Sequence, residues 1–386
     1  MFLPSSYEFF CRVKINSGNH ALDHLPCELD TLNARKPLVI TKKSATERGL
    51  TNIIIDAFRD SGLTIGIFDG VPSIPDVALI KELYSLYRDR GYDAIIALGG
   101  DAVADTAKVL NIAVSGEPED LERCAGDDLL KKSLNPFIMI PTLSGSGYET
   151  SRYAFFAGRT YASHFLMPDI AVIDPRMCIA ENVMTTTATS LTALTHSVEA
   201  YVSPGKSPLT DCYAFPAIRF IMGNLLNVIK NPRDKNSCLA LANAHSMAGC
   251  AFSNIEAGIA HTLGKVIGNA SRVPHGICMG ILLPHVLESQ LSGDGAHIGD
   301  LLLPLAGFDV YAKTQEERRP QETISIMGDF LRGLSTASSG AIATSLRDAG
   351  VSKEIMEDIR KALGHTAGGA DIDDCMKILE HAWEGS

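Results

Sequence analysis

Residues 93–108, DAIIALGGDAVADTAK, decide the fold class of this chain. The first six of them form a short apolar run that is typical of a buried strand, and the run ends at Gly99 and Gly100. Residues 101–115 then have the apolar spacing of a helix. A strand that turns through glycines into a helix is typical of α/β folds, in which the helix N-terminus offers N–H groups to a phosphate. Taken alone, the same glycines also fit a simple tight turn.

Strand and helix patterns alternate throughout the first half of the chain. They predict strands at 37–41, 63–68, 93–98 and 136–140, and helices at 52–61, 76–90 and 101–115. Such alternation indicates a Rossmann-like parallel sheet with crossover helices. From about residue 180 onward, Ala- and Leu-rich segments with helical spacing predominate. We therefore predict an α/β domain at 1–178 and an all-α helical-bundle domain at 179–386.

Composition narrows the functional classes. The chain has 386 residues, of which 46% are hydrophobic and 20% charged, and its formal net charge is −11. Because the net charge is negative, we expect no general surface for binding nucleic acids or anionic membranes. Its nine cysteines include no CxxC pair, which favours reduced thiols and a cytoplasmic location. We find no signal-peptide pattern and no uninterrupted apolar stretch of about 18 residues, so no membrane partner is expected.

A second loop and three histidines carry the candidate chemistry. The segment IPTLSGSGYET at 140–150 follows a strand and is rich in hydroxyls and glycines, and ligands of open α/β sheets gather at that edge. His196, His261 and His275 lie in apolar surroundings. Imidazole is the commonest protein ligand for transition metals, and three of them can form a catalytic site with open positions. The alternative interpretation is a solvated loop and three satisfied core histidines.

Over nearly its whole length the chain resembles the iron-containing (group III) alcohol dehydrogenase family. The motifs that carry the resemblance are FDGVPSIPDV (68–77), ALGGDAVADTAK (97–108), IPTLSGSGYET (140–150), PDIAVIDP (168–175), TALTHSVEAYVSP (192–204), AGCAFSN (248–254) and VPHGICMGILLPHV (273–286). The resemblance implies a dehydroquinate synthase-like fold with the active site in a cleft between an α/β and a helical domain. It also implies hydride transfer between NAD(P) and an alcohol/aldehyde pair, assisted by divalent iron or zinc.

The resemblance also assigns roles by position. His196, His261 and His275 would be three of the four metal ligands. Lys265 would be a catalytic residue, because it stands where the family has a histidine near the substrate. The positions that would line the cofactor are Lys42, Gly99, Gly100, Asp101, Ala102, Thr142, Leu143 and Ser146.

The chain departs from the family at the metal site. The family's fourth ligand, an aspartate four residues before the first histidine, is Thr192 here. With Lys265 in place of a histidine, the site is roughly two charges more positive than usual, which disfavours a dication. Lys265 has three possible interpretations. It could pair with an anionic substrate, it could replace the metal and polarise a carbonyl, or it could be a surface lysine without a role in the site. Glu256 is a candidate for the missing carboxylate.

The cofactor loop departs as well, since the family's GGGS is Gly99-Gly100-Asp101-Ala102 here. Asp101 places a negative charge where a diphosphate rests, which disfavours NAD(P) unless the side chain turns away. A carboxylate at a helix start is also a good N-cap. After the first predicted strand, where NAD-preferring members carry an aspartate, this chain has Lys42 and Lys43. Two lysines would attract the 2′-phosphate of NADP, so NADP is favoured over NAD. The alternative is that both are solvated surface lysines without a ligand.

We therefore predict an NAD(P)-dependent alcohol dehydrogenase of the iron-containing type. It would interconvert a small alcohol and an aldehyde or ketone, with metal assistance at the three-histidine site, and an anionic substrate would suit its charge. The alternative is a diverged member that has lost metal or cofactor binding, either a binding protein or a non-redox enzyme such as a sugar-phosphate cyclase. By analogy with the family, a homodimer is expected.

Overall fold

The computed structural model describes residues 4–116, 121–366 and 371–385, without the side chains of 292–296 and 364–366. Residues 10–180 form one compact unit, and the described residues before 10 and after 180 form the other. The sequence-based boundary assigned residues 1–9 to the first domain, whereas residues 4–9, the described part of that segment, belong to the helical unit. The physical reason is an aromatic contact, because the ring of Phe9 stacks on Tyr213 with centroids 5.6 Å apart.

A six-stranded parallel sheet forms the centre of the first unit. In chain order its strands are β1 (Lys14–Ser17), β2 (Pro37–Ile40), β3 (Gly66–Phe68), β4 (Ala94–Gly99), β6 (Phe137–Pro141) and β9 (Ile170–Ile173). Their order in the sheet is β1-β9-β6-β4-β2-β3. The short strands β5 (Gly126–Asp127), β7 (Tyr153–Phe156) and β8 (Arg159–Ala162) form a separate three-stranded sheet. The prediction of a Rossmann-like parallel sheet is confirmed.

Helices cover both faces of the sheet. They are α1 (Leu25–Thr31), α2 (Lys43–Glu47), α3 (Leu50–Phe58), α4 (Val77–Arg90), α5 (Asp101–Ser115) and α6 (Leu121–Cys124). Because side chains alternate along a strand, Ile95 and Ala97 of β4 join the apolar cluster under α4 and α5. Ile96 and Leu98 join the cluster on the opposite face, with residues of α1 and α3. A strand buried on both faces needs a continuous apolar run, which is what the sequence shows.

The predicted elements of this unit lie close to the observed ones, with two kinds of error. The strand predicted at 63–68 begins only at Gly66, because pairing with β2 starts at the register Leu38↔Gly66. Strands β1, β5, β7, β8 and β9 were not predicted. All five have four residues or fewer, which is too short for an alternating pattern to show.

The second unit is helical throughout its described part. Its helices are α7 (Val183–Val202), α8 (Pro208–Lys230), α9 (Lys235–Phe252), α10 (Ile259–Ser271), α11 (His275–Ser289), α12 (Leu291–Asp300), α13 (Leu302–Ala306), α14 (Phe308–Lys313), α15 (Arg319–Ala337), α16 (Met356–Thr366) and α17 (Ile372–Glu384). Helix α7 is buried along most of its length and packs against α8, α9 and α11. It is therefore the core helix of this unit.

Helix α8 is the one helix in the described part that is long and apolar enough to cross a membrane by length and composition. Core helices of soluble proteins pass the same test, so a single such helix is weak support for a span. Asp211 and Arg219 interrupt its apolar sequence. Helix α8 packs against α7 and α9, and 39% of its apolar window is buried within the structure.

Candidate active site

Two loops pack backbone to backbone at the carboxyl edge of the parallel sheet. The first is the turn between β4 and α5, and the second is the segment that follows β6. The amide of Thr142 donates to the carbonyl of Gly99 at 3.1 Å, and the amide of Asp101 donates to Ser144 O at 3.4 Å. A Cβ at Gly100 would lie only 1.9 Å from the carbonyl oxygen of Ser144. Glycine at this position is therefore required for the two loops to meet.

The Asp101 side chain ties these two loops together. Its Oδ1 accepts from the backbone amide of Ser146, and its Oδ2 accepts from the Ser146 hydroxyl, both at 2.8 Å. Asp101 is the first residue of α5, and the N-cap is Gly100, which makes no side-chain cap bond. The sequence-based assignment of Asp101 as an N-cap is thus wrong, because its carboxylate bonds to the neighbouring loop instead of to its own helix.

The predicted cofactor positions differ in how accessible they are. Ser146 and Leu143 are 0% and 1% exposed, and Thr142 is also buried, so their side chains support the loop from within. Lys42, Asp101 and Ala102 are partly exposed at the same edge. Lys42 follows β2, which pairs directly with β4. Glycine-rich turns at the carboxyl edge of a parallel sheet fit a dinucleotide, and the reachable groups there are Lys42, Ala102 and Asp101.

Sequence reasoning missed Lys108, which anchors the far end of the second loop. Lys108 is fully buried on α5. Its Nζ donates to three backbone carbonyls, those of Tyr148 at 2.9 Å, Ser151 at 2.6 Å and Tyr153 at 2.8 Å. Burial lowers the pKa of Lys108 to about 8, and the nearby Asp105 opposes that shift. The available signal was a lone lysine in an otherwise apolar helix stretch.

In the helical unit, glycines bring the histidine-bearing helices into close contact. A Cβ at Gly268 of α10 would lie 3.0 Å from both Cα and Cβ of His275. A Cβ at Gly276 of α11 would lie 1.9 Å from the carbonyl oxygen of Ala188 and 2.5 Å from Oγ1 of Thr192, both on α7. The first residue of α11, His275, is therefore held against α10 on one side, while its neighbour Gly276 is held against α7.

The structure places His196 and His261 in direct contact. Their nitrogens Nε2 and Nδ1 are 3.0 Å apart and share a hydrogen bond, and Phe252 stacks on His196 with ring centroids 3.9 Å apart. Burial is the main cause that lowers the pKa of His196 to about 3 and that of His275 to about 4. It also lowers the pKa of His261 well below its usual value, and the charge of Lys265 adds to each shift. All three imidazoles are therefore neutral at neutral pH.

Glu199 was also missed by sequence reasoning, and it holds the start of α10 in place. Its Oε1 accepts from the amides of Ala260 at 2.7 Å and His261 at 3.2 Å, and its Oε2 accepts from Gly258 N at 3.2 Å. A Cβ at Gly258 would lie 2.3 Å from the Glu199 carboxyl carbon. Burial raises the pKa of Glu199 to about 7, and its carboxyl oxygens accept amides that the start of the helix would otherwise leave unpaired. Glu199 therefore fixes the turn that carries His261 through these hydrogen bonds. We assign it as a positioning residue.

Replacing Glu199 by glutamine is expected to lower the free energy of unfolding by about 1–3 kcal/mol, because the new amide cannot accept at both ends. The turnover number should fall with it, while nicotinamide cofactor binding stays unchanged, because only the first turn of α10 is disturbed. Calorimetry, steady-state kinetics and a cofactor titration give the three values. Glu256→Gln is the matched control, because Glu256 is exposed in the loop just before α10. Equal melting temperatures of the two variants would contradict this role for Glu199.

The donor set was tested against the family's divalent metal, and it does not fit. Thr192, at the position of the missing aspartate, donates its hydroxyl proton to Ala188 O at 3.0 Å. Glu256, the candidate substitute, is exposed. Within residues 4–116, 121–366 and 371–385, no three His, Cys, Asp or Glu side chains converge closely enough to hold a metal ion. A dication would here meet neutral nitrogens and the ammonium of Lys265, and neither Thr192 nor Glu256 would supply a charge to balance it.

Comparison with known proteins identifies the class. Residues 13–175 match the family model described as iron-containing alcohol dehydrogenase, and residues 186–371 match the C-terminal model of the same family. The chain is 28% identical over 380 residues to lactaldehyde reductase from Escherichia coli (strain K12), covering 95% of this chain and 97% of that protein. It is 32% identical over 296 residues to long-chain-alcohol dehydrogenase 1 from Geobacillus thermodenitrificans, covering 75% of each.

A solved structure described as 1,3-propanediol oxidoreductase superposes with a TM-score of 0.89 at 24% identity, covering 98% of this chain and 100% of that one. At this identity the likeness shows the fold, which agrees with the family models. The chain belongs to the iron-containing alcohol dehydrogenase family. It is an oxidoreductase of the alcohol/aldehyde class, and no finding favours the non-redox alternative.

Proposed function

We propose that this enzyme interconverts a small aldehyde or ketone and its alcohol, with a nicotinamide dinucleotide held by the Gly99-Gly100 turn. The substrate oxygen would lie at the site formed by Lys265 and the three histidines. The observation that carries this proposal is a group of neutral imidazoles, of the buried His196 and His261 and the partly exposed His275, beside a lysine whose Nζ is shielded from solvent. Such a group has no evident structural purpose in a helix core, where apolar residues pack better.

The chemistry divides between the bound dinucleotide and the protein. When bound, the dinucleotide supplies or accepts the hydride. The protein side chains orient the substrate oxygen and stabilise the negative charge that develops on it, and the buried surroundings strengthen that electrostatic effect by excluding water. Asp101 would stay turned toward Ser146 while the partly exposed Ala102 faces the diphosphate. Thr142, Leu143 and Ser146 would then shape the loop from within.

A cofactor titration combined with a substrate panel tests the proposal. The purified protein is titrated with NADPH and with NADH by fluorescence, and cofactor oxidation is followed with neutral and carboxylate-bearing aldehydes. The panel includes anions because Lys265 adds a positive charge to the site. Binding in the micromolar range together with aldehyde-dependent oxidation is expected. If neither dinucleotide binds at millimolar concentration, the proposal is overturned.

The preferred dinucleotide is NADP, because Lys42 and the exposed Lys43 follow β2. Replacing Lys42 by aspartate is expected to weaken NADPH binding about tenfold, which corresponds to about 1.4 kcal/mol. NADH binding should be unchanged or improved, because NADH has no 2′-phosphate to repel. The same fluorescence titration measures both constants, with Lys81→Asp, on an exposed part of α4, as the control. An unchanged NADPH/NADH ratio in the Lys42 variant would show that this lysine does not select the cofactor.

We also propose a cytoplasmic homodimer. The nine cysteines all lie within the described residues and form no disulfide there, which suits a reducing compartment. Dimerisation rests on the analogy with the family. No nucleic-acid or membrane partner is included in this proposal.

A further inference from the structure

We propose that this enzyme works without a metal ion, with the ammonium of Lys265 in the role that the family gives to divalent iron. The inference rests on the proposed function, because it assigns how that reaction is assisted. It replaces the sequence-based prediction of iron or zinc at His196, His261 and His275. Three structural observations support it, and each concerns a different part of the site.

The first observation is that the lost anionic ligand has no replacement at its own position. Thr192 is buried on α7, and its hydroxyl is directed to the carbonyl of Ala188 in the preceding turn. Gly276 of α11 lies so close that even a Cβ there would come within 2.5 Å of Oγ1 of Thr192. The hydroxyl is therefore used within its own helix and enclosed by the neighbouring one. A neutral hydroxyl in this setting adds no charge to balance a dication.

The second observation is that neither Glu199 nor Glu256 is available as a metal ligand. Glu199 lies on α7 one turn after His196, and both of its oxygens accept backbone amides at the start of α10. A carboxylate that bridged to a metal would have to give up those bonds and leave amides at the start of α10 unpaired. Glu256 is exposed in the loop before α10. Neither acid is therefore positioned to complete a metal site.

The third observation is the position of Lys265. It lies four residues after His261 on α10, so the two side chains share one face of that helix. Gly264 and Gly268, on either side of Lys265, allow α10 to approach His275 at the start of α11, where a Cβ on either glycine would lie within 3.3 Å of His275 atoms. The Nζ atom is shielded from solvent. One positive charge is thus already buried beside all three histidines.

Electrostatics then decides between the metal and the lysine. A dication beside this ammonium would give the buried site three positive charges with neutral imidazoles as its only ligands. A dication placed next to a cation in the same shielded site is strongly unfavourable, because like charges repel strongly at short distance in a medium of low dielectric constant. The ammonium alone can donate a hydrogen bond to a carbonyl oxygen, as a preorganised donor aimed at the developing charge. The lysine therefore supplies the polarisation and excludes the ion.

The atoms and electrons of the reduction balance with Lys265 as the only proton donor from the protein. Hydride from the reduced nicotinamide forms a new C–H bond at the carbonyl carbon, and the π-electron pair of the C=O bond moves to oxygen. The ammonium of Lys265 gives its proton to that oxygen, which yields the alcohol. The lysine, now neutral, regains a proton from water, and the nicotinamide is left oxidised. No further oxidant, reductant or metal is consumed.

Metal content tests the proposal independently of activity. The full chain is produced in medium supplemented with iron and zinc, purified without oxygen, and analysed by elemental mass spectrometry. We expect less than about a tenth of a metal ion per chain, where a complete site would hold about one. Turnover should survive prolonged dialysis against a chelator. One tightly held ion per chain, whose removal abolishes turnover, would overturn the proposal.

A double variant provides the reciprocal test. Thr192→Asp with Lys265→His adds a carboxylate and removes the cation, so about one iron or zinc ion per chain is expected. Thr192→Asp alone should gain less metal, because the ammonium remains. If the wild-type chain already holds as much metal as the double variant, Lys265 does not exclude the ion and the proposal is wrong.

Substitutions of Lys265 test its catalytic role. Lys265→Met is expected to lower the turnover number about 100-fold, the usual effect of removing one preorganised donor. NADPH binding should be unchanged, and Lys265→Arg, which keeps a cation, should retain more turnover. Turnover of the methionine variant within twofold of wild type would refute the role. If no aldehyde is reduced by the wild-type protein, the proposed function fails, while the two metal measurements still decide the question of the ion.

Discussion

Replacing the buried Lys108 by methionine is expected to lower the free energy of unfolding by about 3 kcal/mol. The lysine donates to the carbonyls of Tyr148, Ser151 and Tyr153, and each buried carbonyl left unpaired costs about 1–3 kcal/mol. Relief of the desolvated charge offsets part of that loss. Because these carbonyls hold the end of the loop that begins at Thr142, dinucleotide binding should weaken as well.

Scanning calorimetry measures the change, with Lys81→Met as the control. Lys81 is an exposed lysine on α4, and its replacement should change the free energy of unfolding by no more than about 0.5 kcal/mol. The two variants remove the same chemical group, so their difference isolates the buried contacts. If both melt at the same temperature, the three hydrogen bonds of Lys108 contribute nothing to stability.

The pH dependence gives a second measurement of the same residue. Burial lowers the pKa of Lys108 to about 8 in the folded protein, while in the unfolded chain it stays near 10.4. Between these values the unfolded state binds more protons, so the contribution of Lys108 to stability rises with pH through this window. The deficit of the methionine variant should therefore widen from about pH 8 upward. A constant deficit across that range would contradict the lowered pKa.

Replacing Gly276 by alanine is expected to reduce turnover about 100-fold, because a shift of about 1 Å near reacting groups can have an effect of that size. The added Cβ would lie 1.9 Å from the carbonyl oxygen of Ala188, which is a backbone atom and cannot turn aside as a flexible side chain would. Helix α11 must then move away from α7. His275, the preceding residue, moves with it and leaves its place beside α10.

Stability should fall too, by about 1–3 kcal/mol as in other overpacked cores. Gly223→Ala is the matched control, because Gly223 is a helical glycine of α8 with nothing within 4 Å of an added Cβ. That change should stabilise the protein by about 0.5–1 kcal/mol through helix propensity alone. Steady-state kinetics and calorimetry on both variants measure the turnover number and the free energy of unfolding. Full activity in the Gly276 variant would show that the α7–α11 approach does not position His275.

The fold of the first unit was predictable because its signals are local. The apolar run before Gly99, the helical spacing at 101–115 and their repetition along the chain specify strands and helices within short windows. Strand β1 escaped prediction because its sequence KINS is largely polar and lies at the sheet edge. Strand β9 is apolar but has only four residues, so neither pattern nor length marked it.

The candidate site was predictable only in part. His196, His261, His275 and Lys265 were found through the family motifs, and their arrangement was not. Glu199 and Lys108 escaped because their partners are backbone groups about 40–60 residues away in sequence, and no side-chain pattern marks a backbone acceptor or donor. The direct contact between His196 and His261 depends on how closely α7 and α10 pack. Gly258, just before α10, permits part of that approach, because a Cβ there would lie 2.3 Å from the carboxyl carbon of Glu199 on α7, and this role is visible only when the helices are assembled.

The edge strand β1 has a consequence for how the chain folds as it is synthesised. Its neighbour in the sheet is β9, with Lys14 opposite Ile170. At about 5–20 residues per second, a ribosome needs roughly 10–30 seconds to make the intervening segment. During that interval β1 lacks β9, the strand with which it pairs. The sequence of β1 is polar, and Lys14 is paired with Glu28 at 2.6 Å. Both features suit a strand that stays unpaired and solvent-exposed during synthesis without aggregating.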